Sequence, residues 1–277
     1  IYTVNTEAAD ILEKLAAAPR IWELNLQFSS GWHETADRKA GYFDTGWAQP
    51  QRWGDVILQG PHLGVATPMI KQPNPTNRSK GDWTAIDLER MPSNFIPATG
   101  YQANWAVEGA YDRDYPSWTN DDGDRVSARD VYRIAWRRMA SITGFRTIYP
   151  SIIPPGTAHI HGVASAAKLG NLRVTIRTGG ILSSLLVDFL VRNTGTSELQ
   201  PSNIKPLVAP TMGALEDALV YRYLQLNCLT EAYAPLWEEV VGEPWDVDTP
   251  LRKDEERRAA QVEIDAIVAL SLGVTAD

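Results

Sequence analysis

Arginines at four-residue spacing are the first chemistry this chain offers. Arg133 and Arg137 lie four positions apart, which puts them on one face of either a strand or a helix, and Arg138 and Arg146 follow closely. A guanidinium is a planar fork of donors that fits a phosphate or the O6/N7 edge of guanine, a match the lysine ammonium does not reproduce. A second basic element is Lys71-Gln72-Pro73-Asn74-Pro75-Thr76-Asn77-Arg78-Ser79-Lys80, whose polar residues and prolines have no apolar period and read as a surface loop. From that loop Lys71, Arg78 and Lys80 would clamp a ligand, with His159, His161 and Lys168 as weaker contributors. Trp83 and Trp105 are candidates to stack on bases or wedge between them, against the commoner use of tryptophan in cores.

Other chemistries are missing. No Gly-x-Gly-x-x-Gly, no Gly-Lys-Ser/Thr and no Gly-x-Ser-x-Gly occurs. His33-Glu34-Thr35-Ala36-Asp37 falls short of the zinc-protease helix, with aspartate where the second histidine belongs and no third ligand in view. His159-Ile160-His161 has no cysteine or carboxylate beside it, and Cys228 sits among Leu224, Leu226 and Leu229 as a core residue. The run Asn120-Asp121-Asp122-Gly123-Asp124 lacks the closing glutamate of a calcium loop and reads as a solvated turn. No catalytic residue and no metal ligand is therefore assigned.

The net charge of −8 argues against a polyanionic partner, yet its distribution argues for one. Between Arg125 and Lys205 eleven Lys/Arg stand against three acids, a local +8 inside a remainder of −16. Local field decides where a phosphate backbone docks. The competing reading is that the surrounding carboxylates neutralise these arginines within the protein itself. A single cysteine excludes a disulfide framework and fits a reducing cytoplasm, and no apolar run reaches the roughly 18 residues of a membrane helix.

The elements that must position these groups are legible in outline. Ile11, Leu12 and Leu15 recur at helical spacing before Pro19. Residues 22–28 alternate strictly and predict a half-buried strand with Trp22, Leu24, Leu26 and Phe28 inward. Short strands are expected at 55–58 and 148–153, and Tyr132, Ile134 and Trp136 alternate with Arg133, Ala135 and Arg137. Residues 181–192 return to a helical period. Beyond 210 the pattern is purely helical: one helix over about 212–240, kinked or broken at Pro235, and a last one from near Pro250 to a Gly273 stop. With 44% hydrophobic residues in 277, the chain buries a full core. The expected fold is α/β (α+β): an N-terminal helix over 1–19, a twisted mixed sheet over 20–210, and a C-terminal helical region over 211–277.

Several segments together resemble one family. They include Leu58-Gln59-Gly60-Pro61-His62, Pro68-Met69-Ile70-Lys71-Gln72-Pro73-Asn74 and Ile96-Pro97-Ala98-Thr99-Gly100-Tyr101. Further along come Tyr132-Arg133-Ile134-Ala135-Trp136-Arg137, Ile152-Ile153-Pro154-Pro155-Gly156 with His159, and Leu226-Asn227-Cys228-Leu229-Thr230-Glu231. In this order they resemble the C-terminal target-recognition region of type IIG and BREX-like adenine-specific DNA methyltransferases of restriction-modification and phage-defence systems. The resemblance implies sequence-specific binding of double-stranded DNA, a cytoplasmic protein and an adenine presented for base flipping. The family's Asn/Asp/Ser-Pro-Pro-aromatic tetrapeptide and glycine-rich S-adenosylmethionine loop are both missing. Methyl transfer and its cofactor are thus expected of an upstream methyltransferase domain, with no cofactor held here. A rival function is carbohydrate binding or carbohydrate chemistry through exposed tryptophans and paired carboxylates, for which ten tryptophans in an acidic chain provide material.

Overall fold

A computed structural model describes residues 6–76, 81–105, 109–140 and 143–274, with side chains from residue 9 onward. The chain opens with helix α1 (Thr6–Ala17), then strand β1 (Gln27–Ser29), helix α2 (Ala36–Lys39), and strands β2 (Phe43–Ala48) and β3 (Ile57–Leu58). Strands β4 (Lys71–Pro73) and β5 (Trp83–Ala85) form a hairpin, and β6 (Thr99–Ala103) returns to pair with β2. After helix α3 (Ala110–Asp114), β7 (Ser117–Thr119) and β8 (Arg125–Ser127) make a second hairpin around the Asp121–Asp124 turn. Strands β9 (Arg133–Arg137), β10 (Ser151–Ile153), β11 (Ala158–His159) and β12 (Val163–Ala167) follow. Six helices finish the chain: α4 (Leu172–Leu182), α5 (Leu185–Asn193), α6 (Pro201–Ile204), α7 (Glu216–Asn227), α8 (Ala234–Val241) and α9 (Asp254–Ser271). The fold is α/β with C-terminal helices.

The central sheet has the order β1-β12-β9-β10 and is antiparallel throughout, while β3 and β11 form a separate parallel pair. The expected mixed sheet is thus distributed over several small sheets. Each face of β9 meets a different layer, as period two requires. Ile134 and Trp136 face the helices, in one core with Ile152, Ala164, Ile181, Tyr223, Tyr233 and Ile264. Ala135 faces the other way, with Ile153 and Val163, against Val56, Leu58 and Leu63. Arg133 and Arg137 share that second face, and residues 53–63 and 154–160 roof it.

Residues on either side of 210 contribute to the same apolar cluster, so the sheet and the C-terminal helices differ in element type while sharing one core. Close approach of α4 to α7 depends on Gly179, where a Cβ would lie 2.4 Å from the Tyr223 ring. Gly31, with φ +63, passes so close to His159 that a Cβ would meet its carbonyl oxygen at 2.1 Å.

Three local expectations need correction. Residues 22–26 are not a strand: Ile21–Leu24 is a 3-10 turn, tied by Ile21 N–H to Leu207 O and Trp22 N–H to Lys205 O, and Trp22 is 52% exposed. The helix expected over 181–192 is two, broken at Ser183-Ser184, where the Ser184 hydroxyl accepts from Val187 N–H and caps α5. The long helix over 212–240 ends at Asn227, so Pro235 lies in the first turn of α8, where its missing N–H costs nothing. The final stop stands as expected, with Gly273 at φ +68 just past α9. Among the described residues no single helix is long and apolar enough to cross a membrane.

Candidate nucleic-acid interface

The strand arginines go inward. Arg133 is fully buried: its guanidinium donates to Thr157 O, to Val131 O at 3.3 Å and to Ser165 Oγ at 3.3 Å, and burial lowers its pKa. Arg137 donates through Nε to Leu63 O at 2.8 Å and lies over the Tyr149 ring at 4.1 Å, its pKa also lowered by burial. Arg146 is 4% exposed, donates to Ser183 O at 3.3 Å and faces Asp265 at 3.8 Å. His159 is buried between Ser165 Oγ (2.8 Å) and Tyr115, and desolvation pushes its pKa down to about 3, so it stays neutral. Arg133, Arg146 and His159 are therefore corrected from DNA-contacting groups to internal ones, because they are buried and directed at the protein's own carbonyls, hydroxyls and, for Arg146, the Asp265 carboxylate.

Much of the remaining basic island is also paired internally. Arg129, 2% exposed, binds Asp112 and the Gly54 and Gly156 carbonyls under Trp105 and Tyr111. Arg173 and Arg177 from α4 converge on Glu216 of α7, at 2.9 Å each. That convergence holds the Glu216 carboxyl below its usual range against its own desolvation. Lys168 lies just past the far end of β12 from His161, on the side of β1. Arg78 and Lys80 fall outside the described residues.

What the structure does bring together is one end of the central sheet. Arg138 directly follows β9, and its Nη1 donates to His161 O at 3.0 Å while Nη2 meets Glu198. His161 stacks on the exposed His33 with ring centroids 4.9 Å apart and planes 8° from parallel. Each of these imidazoles accepts at Nδ1, from Glu34 N–H and Ala36 N–H at 3.2 Å. In the neutral form both therefore carry their proton on Nε2. Next to Arg137 runs the Gly60–His62 turn, which leads to the β4–β5 hairpin: Ile70 N–H donates to His62 O at 2.8 Å, and Lys71 beyond it is exposed. His62 is itself buried and neutral, its pKa pushed down to about 4 by desolvation, and Trp83 of β5 packs edge-on against it at 4.7 Å.

The same end carries the loop between β9 and β10, which sequence reasoning overlooked. Met139 is 72% exposed and Phe145 88% exposed. Phe145 sits in Thr143-Gly144-Phe145-Arg146-Thr147, inside the segment 131–187 that has seven Lys/Arg and no carboxylate. Those two features together are the signal that could have marked it. Trp83 and Trp105 are not the exposed aromatics: Trp105 Nε1 donates to Asp55 at 2.7 Å, between Arg52 and Arg129.

Of the ten tryptophans, Trp22 is the one that is mostly exposed. A cavity of about 580 Å3 between α7, α8 and α9 is lined by no glycine. Its charged groups are already paired, Arg173 with Asp217 and Arg222 with Glu263. No protein-family model matches the chain, and no curated protein is similar to it in sequence.

Proposed function

We propose that this chain is a duplex-DNA recognition unit that docks through the Arg138 end of its central sheet, as part of a site-specific adenine methyltransferase. The observation that supports this reading is Arg138 beside His161 at the end of the sheet, next to a loop that turns Met139 and Phe145 outward, with Lys71 exposed on the neighbouring hairpin. Cations near an outward apolar tip suit a duplex, where phosphates fix position and groove contacts read sequence. The strand arginines have a different part: they hold the scaffold. Methyl transfer and S-adenosylmethionine would belong to a separate catalytic region, in keeping with the missing tetrapeptide.

The test is equilibrium binding to random-sequence duplexes over a series of salt concentrations, followed by fluorescence anisotropy. Log affinity should fall linearly with log salt, as counterion release requires. Arg138→Ala with His161→Ala should weaken binding without lowering the melting temperature by more than a few degrees. Binding that ignores salt, or none at low salt, overturns the reading.

A further inference from the structure

We infer that residues 33–41 form a proton-gated flap at the end of the central sheet, latched at neutral pH by the imidazoles of His33 and His161. The latch stands whether or not that end of the sheet binds a duplex. Both rings accept at Nδ1 from backbone donors of the flap itself: His161 from Glu34 N–H and His33 from Ala36 N–H, each at 3.2 Å. A neutral ring that accepts at Nδ1 keeps its proton on Nε2, and an imidazolium, protonated at both nitrogens, cannot accept at all. The rings are also stacked, 4.9 Å apart and 8° from parallel, so charging both would set like charges against each other. Proton uptake at the two Nδ1 atoms therefore removes both hydrogen bonds and opposes the stack. Histidine is the side chain that changes charge between about pH 5 and 8. The latch is thus present above that range and lost as pH falls through it.

The flap can open without disturbing the core, because its ends are pinned and its middle is not. Trp32, just before it, is buried, stacks on Tyr42 at 4.6 Å and packs against Tyr115. Trp32 also exchanges backbone bonds with the 159–161 segment, donating to His159 O and accepting from His161 N–H. At the far end Tyr42 O accepts from Asn104 N–H at 2.9 Å, and Gly41, at φ +87, supplies a pivot beside it. Between these anchors α2 has no buried residue, so polar contacts fasten it. The charged groups around the histidine pair come from the flap and from the sheet. Asp37 accepts from His33 N–H, Glu34 Oε1 accepts from the Tyr101 hydroxyl of β6 at 2.8 Å, and Arg38 and Lys39 are exposed. From the sheet end come Arg138, bonded to His161 O, and its partner Glu198. Asp37 and Glu198 are the carboxylates that stabilise the charged rings once they leave their amides. Burial keeps the Tyr101 hydroxyl protonated, so the Glu34 tie persists and the opening stays local.

The experiment is an NMR titration of the whole nitrogen-15-labelled chain from about pH 7.5 to 5. Ring-nitrogen spectra at the neutral end should show both imidazoles with the proton on Nε2. As the rings charge, the Glu34 and Ala36 amide resonances should move with the same midpoints. Protection of these two amides from solvent exchange, relative to an unstructured peptide at each pH, should fall about tenfold. Interior amides such as Ile134 and Ala166 should stay in place. His161→Gln substitutes an acceptor that does not titrate, so the Glu34 amide should stop responding while Ala36 still moves; His33→Gln should reverse that assignment. A proton on Nδ1 at neutral pH, or Glu34 and Ala36 amides that stay put while both rings charge, overturns the latch. Collapse of the whole dispersed spectrum at the midpoints of the two rings overturns it too, because the histidines would then guard the entire fold. These overturning results are read from the wild type, so a glutamine variant that fails to fold leaves the test intact.

Discussion

Two groups of cations have opposite fates. Arg129, Arg133 and Arg146 are at most 4% exposed and bonded to backbone carbonyls or carboxylates, whereas Lys71, at the edge of a small hairpin, faces solvent. Arg138, with 16% of its side chain exposed, stands between these extremes, shared by His161 O and Glu198. The difference is one of position in the sheet. β9 is a central strand covered on both faces, so each guanidinium there must find its acceptors inside the protein. Past the strand's end the cover thins, and Arg138 keeps 16% of its side chain exposed while sharing its donors with His161 O and Glu198.

The largest effect should come from emptying the interior group. Arg129→Ala or Arg133→Ala removes a long buried stem and strands two or more carbonyls, including Gly54 O and Gly156 O for the first and Thr157 O for the second. Unsatisfied buried acceptors and a cavity together cost about 3–5 kcal/mol. Urea denaturation should show that loss. A change below about 1 kcal/mol would mean that these arginines are not the scaffold's anchors, and the contrast would collapse.

How much of this was legible in the sequence follows the same line. The alternation of Arg133, Ala135 and Arg137 against Ile134 and Trp136 set them on opposite faces, and the structure has them so. The pattern could not say that both faces are covered. The acceptors lie far off in sequence, Leu63 for Arg137 and Gly54 for Arg129, and only the folded chain brings them near. Local alternation misread Trp22 for a related reason: backbone bonds to 205 and 207 impose a 3-10 turn there. The stop at Gly273 and the burial of Cys228 were readable because each depends on neighbours within a turn or two. Phe145 was passed over because an exposed aromatic has no periodicity to declare it.

Acid sharpens the comparison through the two buried histidines that the interior shares with its arginines. Burial holds His62 at about 4 and His159 at about 3, while an unfolded imidazole titrates near 6.5. Between those values the unfolded chain binds protons that the fold refuses. Stability is therefore full above pH about 6.5 and falls as pH drops through that window, by up to about 1.4 kcal/mol per pH unit for each histidine. Urea midpoints at pH 7, 6 and 5 should trace this fall, and His159→Gln should halve its slope. Unchanged stability from pH 7 to 5 would place both imidazoles in contact with water.

Glu198 tests the middle case. Its carboxyl lies below the usual range, held there first by the Gln200 amide and then by Arg138. It thus competes with any phosphate for that guanidinium. Glu198→Gln should release Arg138 and raise duplex affinity about three- to tenfold at low salt. The cost in stability should be small, within about 1 kcal/mol, for a half-exposed pair. Weaker DNA binding in Glu198→Gln would show that Arg138 serves the fold in the way Arg133 does.

The smallest effect belongs to Lys71. It is exposed on a short edge strand, so Lys71→Ala should move folding stability by no more than about 0.5 kcal/mol. Its contribution is a single point charge, and a single phosphate contact changes the slope of log affinity against log salt by about one. The variant should therefore bind a few-fold more weakly at low salt and converge on wild type as salt rises. Arg133→Ala behaves oppositely if its role is internal: any loss of binding tracks the unfolded fraction and leaves the salt slope of the folded protein alone. A Lys71→Ala slope identical to wild type would take the β4–β5 hairpin out of the interface and leave the Arg138 end of the sheet to act without it.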